Sequence, residues 1–257
     1  MSVSIEQIKQ LRDATGISMT ACKKALEEAN GDYDEAITLL RKKGEAKAAD
    51  RAERGTGNGS IVVKTANGKT AMVKLGCETD FVAISDEYIE IVGKIADMLL
   101  NGEISVEDRD LDIVKDAVLK LGENIQIADM ALFEGGSVGD YVHSNRKIGV
   151  VVSLDGGNEE LAKDLAMHVA ATNPSVISPE EISEDLVAKE KEIWTEQLKN
   201  EGKPAEIIDK IMMGKEKKFR EESALIKQPF VKNPDKTVEQ LLSEADAMVK
   251  EFTRYMV

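Results

Sequence analysis

SIVVKTANGKTAMVKL, Ser60 to Leu75, sets two apolar runs on either side of Asn67-Gly68. Asn and Gly tolerate positive φ at both central positions of a two-residue turn, and such a turn matches the twist of the strands it joins. The stretch therefore predicts an antiparallel β-hairpin. Ile61, Val63, Met72 and Leu75 then need a cover, and helical patterns follow. Ser85 opens one, with Tyr88, Ile91, Val92, Ile95, Met98 and Leu99 on a stripe. A second runs from about Val106 with Ile113, Val114, Ala117 and Leu121. Helices packed on short antiparallel sheets make the fold class α+β.

A related plan recurs downstream. Asp140-Tyr141-Val142-His143 and Ile148 to Leu154 bracket a turn at Asn145, and Leu161, Leu165, His168 and Val169 mark a helix. Two strands followed by a helix, twice, predict a duplicated two-part core. Glu180–Asn200 and Pro204–Ser223 are charged helices joined by Glu201-Gly202-Lys203, an antiparallel hairpin. The stripe of Ile208, Ile211, Met212, Lys215 and Phe219 is narrow, which suits a protruding arm that either pairs with a second copy as a homodimer or stands alone. After Gln228-Pro229 and Asn233-Pro234, the capping box of Thr237 and Gln240 opens one more helix, and Phe252–Val257 reads as a final strand.

Upstream of the hairpin, Gly55-Thr56-Gly57-Asn58-Gly59 reads as a flexible joint. Before it lie three short helical patterns. Ser4 and Gln7 make a capping box that runs to Gly16. Ser18 precedes Met19, Cys22, Leu26 and Ala29, ending at Gly31. Asp32 caps a third helix with Ala36, Ile37 and Leu40, closed by Gly44 and followed by a helical tail. Helices this short persist only by burying their stripes against one another. The expected divisions are a bundle over residues 1–54, a first core subdomain over 55–136, a second over 137–177 with 225–257, and the arm over 178–224. Deleting residues 1–54 should leave a folded core.

The 257 residues carry 48 acidic and 34 basic side chains, a net charge of −14, which argues against direct nucleic-acid binding. Through Arg54 ten Lys and Arg balance ten Asp and Glu, so the excess acid lies beyond the joint. Two cysteines 55 positions apart and two histidines leave no disulfide framework, and no metal or cofactor is expected. No run is long enough to cross a membrane, and Ser2–Gln10 has no signal or transit pattern, so the expected location is cytoplasmic. Three local motifs fail on their spacing. Gly68-Lys69-Thr70 has Val63 where a phosphate loop needs glycine. Asp108-Arg109-Asp110-Leu111-Asp112 has Ile113 and Leu119 where a calcium loop needs Gly and Glu. Gly55–Gly59 lacks the dinucleotide fingerprint. In Cys77–Ala83, between a strand and a helix, the residue types alone make Asp80 a helix cap and Phe81 a staple into the core.

The run from Leu11 to Asp32, LRDATGISMTACKKALEEANGD, closely resembles the N-terminal signature of bacterial elongation factor Ts, and Thr79-Asp80-Phe81-Val82 resembles that family's second signature. Gly122–Ile125, His143 with Arg146–Val150, Met167–Ala171, Lys218-Phe219 and Gln228–Val231 continue the likeness in order across nearly the whole chain. The resemblance implies a ubiquitin-associated-like N-terminal bundle, a two-part α+β core and a helical-hairpin arm. It also implies nucleotide exchange on elongation factor Tu, bound both with GDP and nucleotide-free, with no chemistry of its own. Carried over, Thr79, Asp80, Phe81 and Val82 intrude near the GTPase's magnesium and nucleotide, and Arg12, Met19 and His143 are further contacts. Some family members carry a C-terminal helical module beyond the last core strand; here that contact is expected to be missing or replaced. A non-catalytic scaffold with a peptide-binding bundle is the alternative. A hydrolase built on Asp80 and His143 is weaker, because no third group orients them.

Overall fold

The computed structural model describes residues 3–201 and 204–257. Ser2, at the start of the Ser2–Gln10 stretch, and Gly202 and Lys203 of the arm connection lie outside them. The chain is α+β and forms two compact units. One takes in the residues up to Glu134 with Val142–Gly149 and Tyr255–Val257; the other takes in Gly135–Tyr141 and Val150–Arg254.

The first unit begins with helices α1 (Ile5–Thr15), α2 (Met19–Glu28) and α3 (Tyr33–Arg51). The Ser4/Gln7 box, the left-handed Gly16 and the Ser18 and Asp32 caps form as expected. Ile8, Leu11, Cys22, Leu26, Ala36 and Leu40 bury together. Gly44, expected to close the third helix, lies instead inside α3. Its missing side chain lets α3 approach a later helix, where an added Cβ would stand 3.3 Å from the Lys115 carbonyl oxygen.

Strands β1 (Asn58–Ala66) and β2 (Lys69–Cys77) pair antiparallel through the Asn67-Gly68 turn, with φ of 54° and 72°. The short helix α4 (Asp80–Ala83), then α5 (Asp86–Leu100) and α6 (Asp112–Leu121), lead to β3 (Gln126–Glu134), which pairs antiparallel with β2. The second helix starts at Asp112 rather than near Val106, because Ser105 bonds the Asp108 carboxylate and closes a turn first. The covered face of the sheet carries Val62, Ala71, Val73 and Leu75 against Tyr88, Val92, Ile95 and Leu99. Ile61 and Met72 point the other way and are also buried, so the four residues expected to share one cover divide between two faces.

Beyond β3 come β4 (Ser137–Val142), β5 (Ile148–Gly156), α7 (Glu159–Thr172), α8 (Glu184–Asn200), α9 (Ala205–Ser223), the small pair β6 (Pro229–Phe230) and β7 (Asn233–Thr237), α10 (Val238–Glu244) and β8 (Ala247–Met256). The strand orders β1-β2-β3 and β4-β5-β8 are the same plan: a hairpin, helical cover, then a return strand beside the hairpin's second strand. In the arm, Trp194 meets Phe219 edge-on at 5.6 Å, and Arg220 bridges Glu184 at 2.7 Å and Glu216 at 3.1 Å.

Candidate functional site

The connection from β2 to α5 is a display. Thr79, not Asp80, is the N-cap of α4, its hydroxyl accepting the Val82 N–H. That one-residue difference in phase decides which side chains face solvent. Val82 is half-buried against the core and Ala83 is buried, while Asp80, Phe81 and Ile84 point outward. Phe81 is 80% exposed and Ile84 71%. The expected staple of Phe81 into the core is therefore corrected. A phenylalanine in water forgoes about 1.5–3 kcal/mol that burial would return, and here it stands exposed on the same short helix as Asp80, with Ile84 exposed at its end.

The ground beneath α4 is stiff. Ser60 Oγ donates to the Ala83 carbonyl at 2.7 Å, Ser85 Oγ to the Val82 carbonyl at 2.9 Å, and the Tyr88 hydroxyl to the Leu75 carbonyl at 2.6 Å. Burial pushes the Tyr88 hydroxyl well above its ordinary range and the Cys77 thiol up to about 11, so both stay protonated donors at neutral pH. Cys77 Sγ donates to the Thr79 carbonyl at 3.1 Å.

Arg12 and Met19 flank the α1–α2 turn. Arg12 is exposed and bonds Asp13, and Met19 is 37% exposed. Lys120 of α6 lies against Gly16 of this turn, and its ammonium pairs with Glu87 in the first turn of α5. The bundle turn thus lies beside a lysine of α6 that reaches the start of α5. His143 falls at the start of a tight loop rather than inside a strand. It is exposed, its N–H donates to the Ile148 carbonyl at 2.9 Å, and Arg146, not Asn145, takes the positive φ of 56°. The Ile61 N–H donates to the Arg146 carbonyl at 2.8 Å, tying this loop to β1. Among the described residues, no cluster of His, Cys, Asp and Glu could hold a metal ion, and no helix is long and apolar enough to cross a membrane.

Residues 78–257 match the family model for elongation factor TS. The elongation factor Ts of Hydrogenobaculum sp. is 42% identical over 272 aligned residues, covering 100% of this chain and 99% of the relative. That of Alcanivorax borkumensis is 46% identical, covering 97% and 92%, and that of Cellvibrio japonicus 44%, covering 97% and 89%. The chain belongs to the elongation factor Ts family. Membership places it in translation elongation. Thr79–Val82 and His143 fall inside the segment matched by the family model, while Arg12 and Met19 precede it and are covered by the Hydrogenobaculum relative, which aligns along the whole chain. Reasoning from sequence missed Ile84, whose exposure follows from the phase of α4, and Glu78 and Glu123, which brace it. Glu123 lies in the Gly122–Ile125 stretch of the family likeness, which gave it no role, and Glu78 carries no pattern that sets it apart from other carboxylates.

Proposed function

We propose that this protein is a guanine-nucleotide exchange factor that engages elongation factor Tu with GDP bound, disturbs its magnesium and nucleotide site, and speeds GDP release so that GTP can enter. The observation that carries this reading is Phe81, 80% exposed on a short helix held at both ends. The function is binding. By reciprocity, a factor that prefers the empty GTPase weakens GDP by the same ratio. A 10⁴-fold shift needs about 5.5 kcal/mol of differential interaction, and one aromatic supplies roughly 1.5–3. Phe81 therefore works with others: Asp80 and Val82 beside it, Arg12 and Met19 at the bundle turn, and His143 on its loop. Magnesium holds a near-octahedral oxygen shell that tolerates little displacement, so a carboxylate and a ring pressed close to it are suited to the task. The setting is the cytoplasm.

The test is release of labelled GDP from elongation factor Tu. Phe81→Ala is expected to slow stimulated release about ten- to a hundredfold, the kinetic equivalent of losing roughly 1.5–3 kcal/mol, with the thermal melt unchanged. Stimulation by Phe81→Ala equal to that of the parent would sink the wedge role. No stimulation by the parent would leave the scaffold alternative standing.

A further inference from the structure

Glu123 lies just past the left-handed cap Gly122, φ 80°, that ends α6. One oxygen of its carboxylate accepts the N–H groups of Glu78 and Thr79, each at 3.0 Å, and the other accepts the Thr79 hydroxyl at 2.6 Å. Glu78 returns the arrangement: its carboxylate accepts the Asn124 N–H at 2.7 Å and reaches Arg54 at 3.5 Å. Each carboxylate thus caps the backbone of the other's segment, clasping the end of β2 to the α6–β3 connection. Asn124, itself buried, extends the clasp to the Arg54 carbonyl at 2.6 Å, and Gln126 reaches the Ala52 carbonyl at 2.9 Å.

This clasp bears on α4 in particular. Four residues are far too few to hold a helix by internal bonds, so with Ser60 fixing the Ala83 end, the direction of α4 turns on what grips its N-terminus. Thr79 is that grip. Its hydroxyl can accept the Val82 N–H only while its own proton points elsewhere, and Glu123 takes that proton. Hydrogen bonds to a carboxylate are shorter and stronger than those between neutral groups.

We propose that Glu123 is a positioning residue for exchange: acting through Thr79 and the Glu78–Thr79 backbone, it sets the angle at which Asp80 and Phe81 are presented. This rests on the exchange-factor reading. Stimulated GDP release from elongation factor Tu is followed against factor concentration for the parent, Glu123→Ala, Glu123→Gln, Phe81→Ala and the double variant Glu123→Ala/Phe81→Ala, with thermal melts of each. Misplacement of a reacting group by about 1 Å can cost on the order of a hundredfold, so a partial loss of about tenfold in maximal rate is expected for Glu123→Ala. The concentration giving half the maximal rate should move less. Glu123→Gln, which keeps an acceptor oxygen, should recover part of the loss. The double variant should be no slower than Phe81→Ala, because the two act as one unit. If Glu123→Ala melts early, Thr79→Val, which keeps the carboxylate but removes the hydroxyl through which Glu123 acts and which caps the Val82 N–H, should show the same signature. A normal rate in both Glu123→Ala and Thr79→Val, or losses that multiply in the double variant, would overturn the proposal while leaving the exchange reading intact. A parent that leaves GDP release at its spontaneous rate would instead bring down that reading and this one together.

Discussion

His168 is fully buried on α7 with both ring nitrogens engaged. The Val231 N–H donates to Nδ1 at 3.3 Å, and Nε2 faces Gln228 Oε1 at 2.9 Å, while the Gln228 amide nitrogen donates to the Glu222 carbonyl and so turns its oxygen toward the ring. An Nδ1 that accepts leaves the proton on Nε2, so this site fits the neutral tautomer. Burial lowers the His168 pKa, partly offset by Gln228. The unfolded chain then takes up its proton first, so the stabilisation is present above about pH 6.5 and is lost as pH falls from there toward the depressed folded value. Urea denaturation between pH 5 and 8 should show that decline in the parent and a flatter profile in His168→Gln. The variant should also lose roughly 1–3 kcal/mol at pH 7, because a fully buried ring bonded at both nitrogens gives way to a side chain of another shape. Equal slopes in both proteins would rule the assignment out. His168 and Gln228–Val231 thus explain two stretches of the family likeness as one structural contact. Residue type served less well at Phe81: an aromatic near a cap suggests a staple, but which way it points is decided by whether Thr79 or Asp80 caps, and a single sequence favours neither.

Among the elements, the hairpin, the capped helices and the arm follow from local chemistry, because turns and caps are encoded in neighbouring residues. The return strands do not. Gln126–Glu134 pairs with β2 about 55 positions away, and its buried Ile127, Met130 and Phe133 do not alternate strictly with polar residues across the register shift between Lys74 and Leu75. Only the end of β8 stood out, and β3 was missed; both are fixed by a sheet edge waiting for them. Gly139 in β4 is a similar case: an unremarkable strand glycine by sequence, it lies so close to α7 that an added Cβ would stand 2.1 Å from the Lys163 backbone nitrogen. Backbone cannot swing aside as a flexible side chain can. Gly139→Ala is therefore expected to destabilise by about 1–3 kcal/mol or more, although alanine suits a strand better than glycine on entropy alone. Chemical denaturation would check this, and a neutral or stabilising result would mean that α7 moves freely over β4.

At the scale of the whole chain, the glycine-rich stretch at Gly55–Gly59 invites a cut, and the charge balance of the preceding residues makes the bundle look self-contained. The packing qualifies that picture. The second half of α3 lies along α6: Gly44 nears the Lys115 carbonyl, Ala48 joins the core beneath α5, and Arg51 donates to the Val118 carbonyl at 3.3 Å. Ala52 and Arg54 supply the carbonyls that satisfy Gln126 and the buried Asn124. A chain beginning at Gly55 still contains every strand of both three-stranded sheets, so it is expected to unfold cooperatively. It loses acceptors for Asn124 and Gln126 and a cover for α6, and a buried polar group left unsatisfied costs about 1–3 kcal/mol. Its melting temperature should therefore fall by several degrees, since roughly 2–4 °C accompanies each kcal/mol at this chain length. The same cut reaches the proposed exchange in two ways. It removes Arg12 and Met19, and it frees one end of the clasp that runs from Arg54 through Asn124 to Glu78 and Thr79. Loss of partner contacts alone raises the concentration of factor needed, whereas loosening α4 lowers the maximal rate. A second deletion that starts at Asp32 separates the two, because it keeps α3 and the clasp while discarding Arg12 and Met19. It is expected to retain the parent's maximal rate of GDP release at a higher working concentration, while the chain starting at Gly55 loses both. Indistinguishable kinetics from the two deletions would show that α3 contributes nothing to the setting of α4.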